Sequence, residues 1–157
     1  MSHQGRIRCS AGLLLLLWVP EGAQGAPQDC SDCTQAVRRA IDLLPRPPPH
    51  VAVVDVDSST PLLRAKLRGV DAFVAPDQRV IFIRMHGRAL QSAVKHRASF
   101  DFVLAAVIWH EMAHLEGADE AAAQRAEEEL CAQFIVGRRV SAELGLRHLT
   151  LLRNRGR

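Results

Sequence analysis

From Ser99 the chain runs through Phe100, Phe102, Val103, Leu104, Ala105, Ala106, Val107, Ile108 and Trp109 with Asp101 its one charged interruption, then presents His110-Glu111-Met112-Ala113-His114. A segment apolar on nearly every side belongs at the centre of a domain. The pattern therefore predicts a buried helix, with Ser99 or Asp101 as its cap, around which the other elements must pack. Val103, Val107, His110 and His114 fall on one face of it. Burying two imidazoles and a carboxylate there is costly unless each finds a partner. Histidines four residues apart can converge on one metal ion, and Glu111, projecting from a neighbouring angle, can reach a water without taking a coordination position. Zinc at that point lowers the pKa of a water toward ~7, and Glu111 is placed to accept its proton as general base. The plainer alternative is a pair of core histidines satisfied by hydrogen bonds, with Glu111 there by accident.

Catalytic zinc takes three protein ligands and keeps one position open. Downstream, Gly117 has the character of a residue just past a helix end, and Asp119 that of a cap opening the next helix. So short a turn returns Glu120 to the neighbourhood of His114, which makes Glu120 the first choice for the third ligand. Glu127 follows seven residues later on the same face. It is the alternative third ligand, and also the natural carboxylate to orient a ligand histidine from behind. Glu116, Glu128 and Glu129 read as a solvated face, the last two beside Arg125, Arg138 and Arg139.

His110-Glu111-x-x-His114 with a glutamate in the following helix resembles the zincin metallopeptidases, in a minimal form of their gluzincin branch. The E-x-x-A pattern common there is matched by Glu120-Ala121-Ala122-Ala123. The likeness extends to small bacterial proteins with a Gly-x-Asp-Glu turn after the motif, and covers mainly residues 70–140. It implies Zn2+ held by His110, His114 and Glu120, Glu111 as the catalytic base, and a peptide or protein substrate. It also implies an extended substrate along an edge strand, for which Val80-Ile81-Phe82-Ile83 is the candidate. The spacing to Glu120 equally fits the metzincin pattern, but that family has His or Asp there and a later methionine turn. Met1, Met85 and Met112 all precede His114. Related enzymes stabilise the oxyanion with Tyr or His. This chain has no tyrosine, which leaves His148, His86, His96 or Arg84. That gap supports the alternative function, a non-catalytic zinc-binding or partner-binding envelope protein on the same scaffold.

Met1 to Ala26 has the make-up of a secretory signal: Arg6 and Arg8, an apolar run from Ala11 to Val19, and a small-residue site at Ala23-Gln24-Gly25. The run is short for a span. Export to a periplasm or the exterior is expected, with an uncleaved N-terminal anchor as the other outcome and no membrane span after cleavage. Cys30, Cys33 and Cys131 remain. Cys30 and Cys33 can close on each other, or one can bridge to Cys131, and a structural disulfide is favoured over a redox module.

The expected organisation is a leader over 1–26, an N-terminal helix and proline-rich connector over 27–49, and a zincin-like domain over 50–157. The fold class is α+β: a short antiparallel or mixed sheet, the buried helix and a helical hairpin. Ala36, Val37, Ala40, Ile41 and Leu44 give a helix over Asp32–Leu44 capped by Asp32 or Thr34, before Pro45-Arg46-Pro47-Pro48-Pro49 stiffens the chain. Strands are expected over His50–Asp57, Val70–Val74 and Arg79–Arg84, the last two joined by Ala75-Pro76-Asp77-Gln78. Met85–Arg97 is a basic connection able to form a short helix, and Ala132–Val140 and Ala142–Leu152 read as helical. A net charge of +3 without a helix-turn-helix signature argues against nucleic acid as a partner. Oligomeric state is not legible.

Overall fold

A computed structural model describes residues 30–155, and the leader read over residues 1–26 lies outside them. Helix α1 (Ser31–Asp42) forms where Cys33, Ala36, Val37 and Ala40 recur at helical spacing, and all four are buried. Neither Asp32 nor Thr34 caps it. Cys30 and Cys33 close a disulfide, which holds Cys30 Sγ over the first turn, where it accepts from the Cys33 N–H at 3.2 Å.

Strand β1 (Val51–Val54) stops short of the expected Asp57 because the chain turns at Asp55, whose carboxylate accepts from the Asp57 N–H at 3.0 Å. Thr60 and Pro61, a side-chain cap followed by proline, then open a short helix α2 (Pro61–Lys66) that apolar periodicity does not announce. Strands β2 (Ala72–Ala75) and β3 (Val80–Arg84) form the expected hairpin, antiparallel, with Phe73 opposite Phe82. Arg79 takes a left-handed φ of 53° in the turn rather than starting a strand.

β3 also pairs in parallel with β1, so the sheet is mixed with order β1-β3-β2. This corrects the edge-strand reading of Val80-Ile81-Phe82-Ile83: that segment is the central strand. Its backbone groups serve ladders on both sides, and Ile81 and Ile83 are shut into the core. Alternation tells which face of a strand is buried, not which strands flank it. Among the described residues, β2 is the edge strand packed against the central helix.

Helix α3 (Arg88–His96) and a 3-10 turn (Arg97–Ser99) lead into α4 (Asp101–Leu115). The latter is the central helix, with Phe102, Leu104, Ala105, Ala106, Val107, Ile108 and Met112 all buried. Its start differs from expectation: Phe100 occupies the cap position, and neither Ser99 nor Asp101 caps by its side chain. Asp101 is instead buried and accepts a two-pronged contact from Arg39, at 2.8 Å from Nε and 3.1 Å from Nη2. That fork braces α1 against the start of α4.

Helix α5 (Glu120–Val136) runs back along α4, and α6 (Ala142–Arg155) packs on α5. The helix expected over Ala132–Val140 is interrupted. Arg138 turns left-handed at φ 55°, and the N–H groups of Arg138 and Arg139 close onto the carbonyls of Ile135 and Phe134, the bonding of a Schellman stop. Among the described residues, six helices and a three-stranded mixed sheet make an α+β fold. Among the described residues no helix is long and apolar enough to cross a membrane.

Candidate metal centre

The C-terminal end of α4 and the N-terminal end of α5 create the site together. α4 ends at Leu115 because Gly117 adopts φ 90°, a conformation open to glycine at little cost. The N–H groups of Gly117 and Ala118 bond back to the carbonyls of His114 and Ala113, each at 3.0 Å. Two residues later Asp119 caps α5, its carboxylate accepting from the Ala122 N–H at 2.8 Å. This compact reversal sets Glu120, the first residue of α5, against the last turn of α4.

His110 Nε2 and His114 Nε2 lie 3.1 Å apart. The Glu120 carboxylate approaches both, Oε1 at 3.6 Å from His110 Nε2 and Oε2 at 3.3 Å from His114 Nε2. His110, His114 and Glu120 thus form a cluster that could hold a metal ion, with ligand atoms all within 4.8 Å of one another. Around tetrahedral zinc with bonds of ~2.0–2.1 Å, neighbouring ligand atoms sit roughly 3.3–3.4 Å apart. The observed separations bracket that spacing, and two imidazole nitrogens with one carboxylate form a donor set that suits zinc.

The opposite ring nitrogens fix how the histidines present themselves. His114 Nδ1 lies 2.9 Å from the Ala118 carbonyl, which can only accept, so Nδ1 carries a proton and Nε2 is the nitrogen whose lone pair the neutral ring can offer. His110 Nδ1 lies 3.1 Å from Glu127 Oε2, although the carboxylate sits off the line of a well-directed hydrogen bond. Glu127 therefore stands behind His110, at the nitrogen facing away from the cluster, and not among the converging ligand atoms. It is buried, and its second oxygen has no hydrogen-bond partner. The Ala118 contact is invisible to sequence reading because any residue supplies a carbonyl; only the Gly117 turn hints at it.

Burial disfavours the charged form of His110, but the Glu127 carboxylate, then Glu111 and Glu120, outweigh it and raise its pKa. Glu111 is 9% exposed. Removal from water raises its pKa, only partly offset by His110 and His114. It is a carboxyl group with heightened proton affinity within the electrostatic reach of both histidines.

An open cleft of about 890 Å³ exposes the site. α4 and α5 supply Val107, His110, Glu111, His114, Glu120, Gln124 and Glu127, and β2 supplies Ala72, Phe73 and Val74. Of the residues named for oxyanion stabilisation, Arg84 and His86 line this cleft. His96 and His148 do not: His96 lies against Phe100, its ring centroid 5.1 Å away, and His148 is buried edge-on against Phe102 at 5.5 Å. Glu116 pairs with Arg46 on the surface, and Arg46 also lies over the Trp109 ring at 5.3 Å. Cys131, one turn beyond Glu127 on α5 and packed with Ala106, Leu149 and Leu152, is a buried free thiol whose pKa is pushed up to about 12, first by burial and then by Glu127 and Glu128. The Cys30–Cys33 disulfide does not line the cleft. No protein-family model, curated protein or solved structure matches this chain.

Proposed function

We propose that this protein is a zinc-dependent peptidase of the zincin kind, with His110, His114 and Glu120 holding the ion and Glu111 as general base. The observation that carries the reading is the opposed use of the ring nitrogens. Both Nδ1 atoms face internal acceptors while both Nε2 atoms meet the Glu120 carboxylate. Two histidines could share one proton at 3.1 Å, but the approach of a carboxylate to both of the same nitrogens makes a three-donor set, which a metal ion satisfies.

Zinc bound there would supply Lewis acidity, acidifying a water and polarising the scissile carbonyl. Glu111, withdrawn from water and raised in pKa, takes the proton of the attacking water and returns it to the departing amine nitrogen. Glu127 and the Ala118 carbonyl keep the two imidazoles in the tautomer and orientation that ligation needs. β2, the edge strand in the cleft wall, replaces β3 as the strand along which an extended peptide would add backbone hydrogen bonds. An exported location accords with the leader-like sequence.

The second reading, a zinc-binding protein without turnover, is favoured by the absence of tyrosine. Comparing wild type with Glu111→Gln separates the two. Both proteins should bind one zinc, and only wild type should cleave a mixed peptide library, with the variant slower by roughly 10²–10⁴-fold. Equal cleavage by the two would overturn the mechanism, and zinc binding with no cleavage by either would favour the second reading.

A further inference from the structure

Among the described residues, Arg84 is held in place by backbone bonds on both sides while its side chain has no partner at Nε. Its backbone N–H donates to the Asp71 carbonyl at 2.9 Å, and the next N–H, of Met85, donates to Val54 at 2.8 Å. Its Nε is buried and makes no hydrogen bond. Other arginines have partners: the part-buried Arg39 is held by Asp101, and the exposed Arg46 and Arg64 by Glu116 and by the carbonyls of Val56, Asp57 and Ser59. Asp71, whose carbonyl takes the Arg84 N–H, directs its carboxylate Oδ1 to the Arg88 N–H at 2.6 Å. A Cβ at Gly87 would come 2.7 Å from that carboxylate oxygen, so the close turn which directs Asp71 to the start of α3 depends on glycine there.

Arg84 lines the same cleft as the metal cluster. The side built by α2, β3 and the start of α3 carries Lys66, Arg84, His86 and Arg88 with Asp71 beside them, whereas α4 and α5 carry Glu111, Glu120 and Glu127. A guanidinium at a cleft wall is matched best by a planar anion, and a carboxylate offers the two parallel acceptors its fork requires. We propose that Arg84 anchors a carboxylate of the peptide substrate, so that the position of that carboxylate decides which bond is presented to Glu111. This inference rests on the peptidase reading. The carboxylate can be the free C-terminus of the peptide or an acidic side chain within it.

The full chain bearing Glu111→Gln and loaded with zinc provides the test, because it should hold peptides without cutting them. Three peptides of one sequence are compared by calorimetry: a free C-terminus, a C-terminal amide, and the amide with one internal glutamate. The carboxylate-bearing peptides should bind about tenfold or more tighter than the plain amide. Which of the two gains identifies the source. Adding Arg84→Met should remove the difference, and Arg84→Lys should restore part of it through charge without the fork. Arg84→Gln carries the same comparison if the methionine variant does not fold. Equal binding of all three peptides, no binding, or an advantage that survives Arg84→Met would overturn the inference; the last would mean that the metal itself captures the carboxylate. Failure of the peptidase reading is scored separately, as cleavage undiminished by Glu111→Gln.

Discussion

At His114 the position of one proton follows from one contact. Ala118 O can only accept, so Nδ1 donates and Nε2 turns its lone pair toward His110 and Glu120. At His110 the same work falls to Glu127. The two glutamates are therefore expected to differ in kind as well as degree. Glu120→Ala removes a donor from the cluster and should abolish tight zinc binding. Glu127→Gln leaves all three donors but weakens the orientation and basicity of His110, lowering zinc affinity by roughly 10–100-fold. Competition against a chromophoric chelator measures both. A Glu127→Gln protein that loses zinc as completely as Glu120→Ala would put Glu127 on the ion instead.

Among the elements, the α4–α5 reversal matters most, because it joins the histidines to their third partner. Gly117 sits at φ 90° with no atom within 4 Å of where a Cβ would be. Space is therefore not the obstacle to Gly117→Ala, and the cost is that of the left-handed backbone alone, roughly 1 kcal/mol. Urea unfolding of the zinc-free protein should show that loss. Zinc affinity should fall as well, since both Ala118 and Glu120 lie beyond the turn. A variant destabilised by this amount with zinc affinity unchanged would show that the turn does not set the site. The hairpin turn, the Gly117 stop and the Asp119 cap were each legible from short-range residue chemistry. The cap of α1 and the role of Asp101 were not. One depends on a disulfide, the other on Arg39, 62 residues away.

Across the whole molecule, α1 buries its apolar face in the same core as α3, α4 and the sheet, and its disulfide spans only three positions. A loop this short restricts the unfolded chain little, so reducing Cys30–Cys33 should cost about 2 kcal/mol or less. Because neither sulfur lines the cleft, zinc affinity measured with and without a metal-compatible reductant should be the same. A large loss of zinc on reduction would revive the reading in which the Cys-x-x-Cys pair organises the function. Cys131 should not complicate that experiment, since its thiol is buried and burial pushes its pKa up to about 12.

Read without coordinates, the chain determined what is local: a buried helix carrying His110, Glu111 and His114, a stop at Gly117, a cap at Asp119, and hence a nearby Glu120. These follow from side-chain spacing and backbone preference within a few residues, where sequence distance and spatial distance agree. Tertiary structure decided what is relational. It made β3 central and β2 the cleft edge, chose for Glu127 the orienting place over direct ligation where its spacing offered both, and brought Arg84 and His86 to the cleft but not His96 or His148. Those outcomes depend on which strands pair and which helices pack, and contacts between distant segments leave no signature in the residues on either side alone.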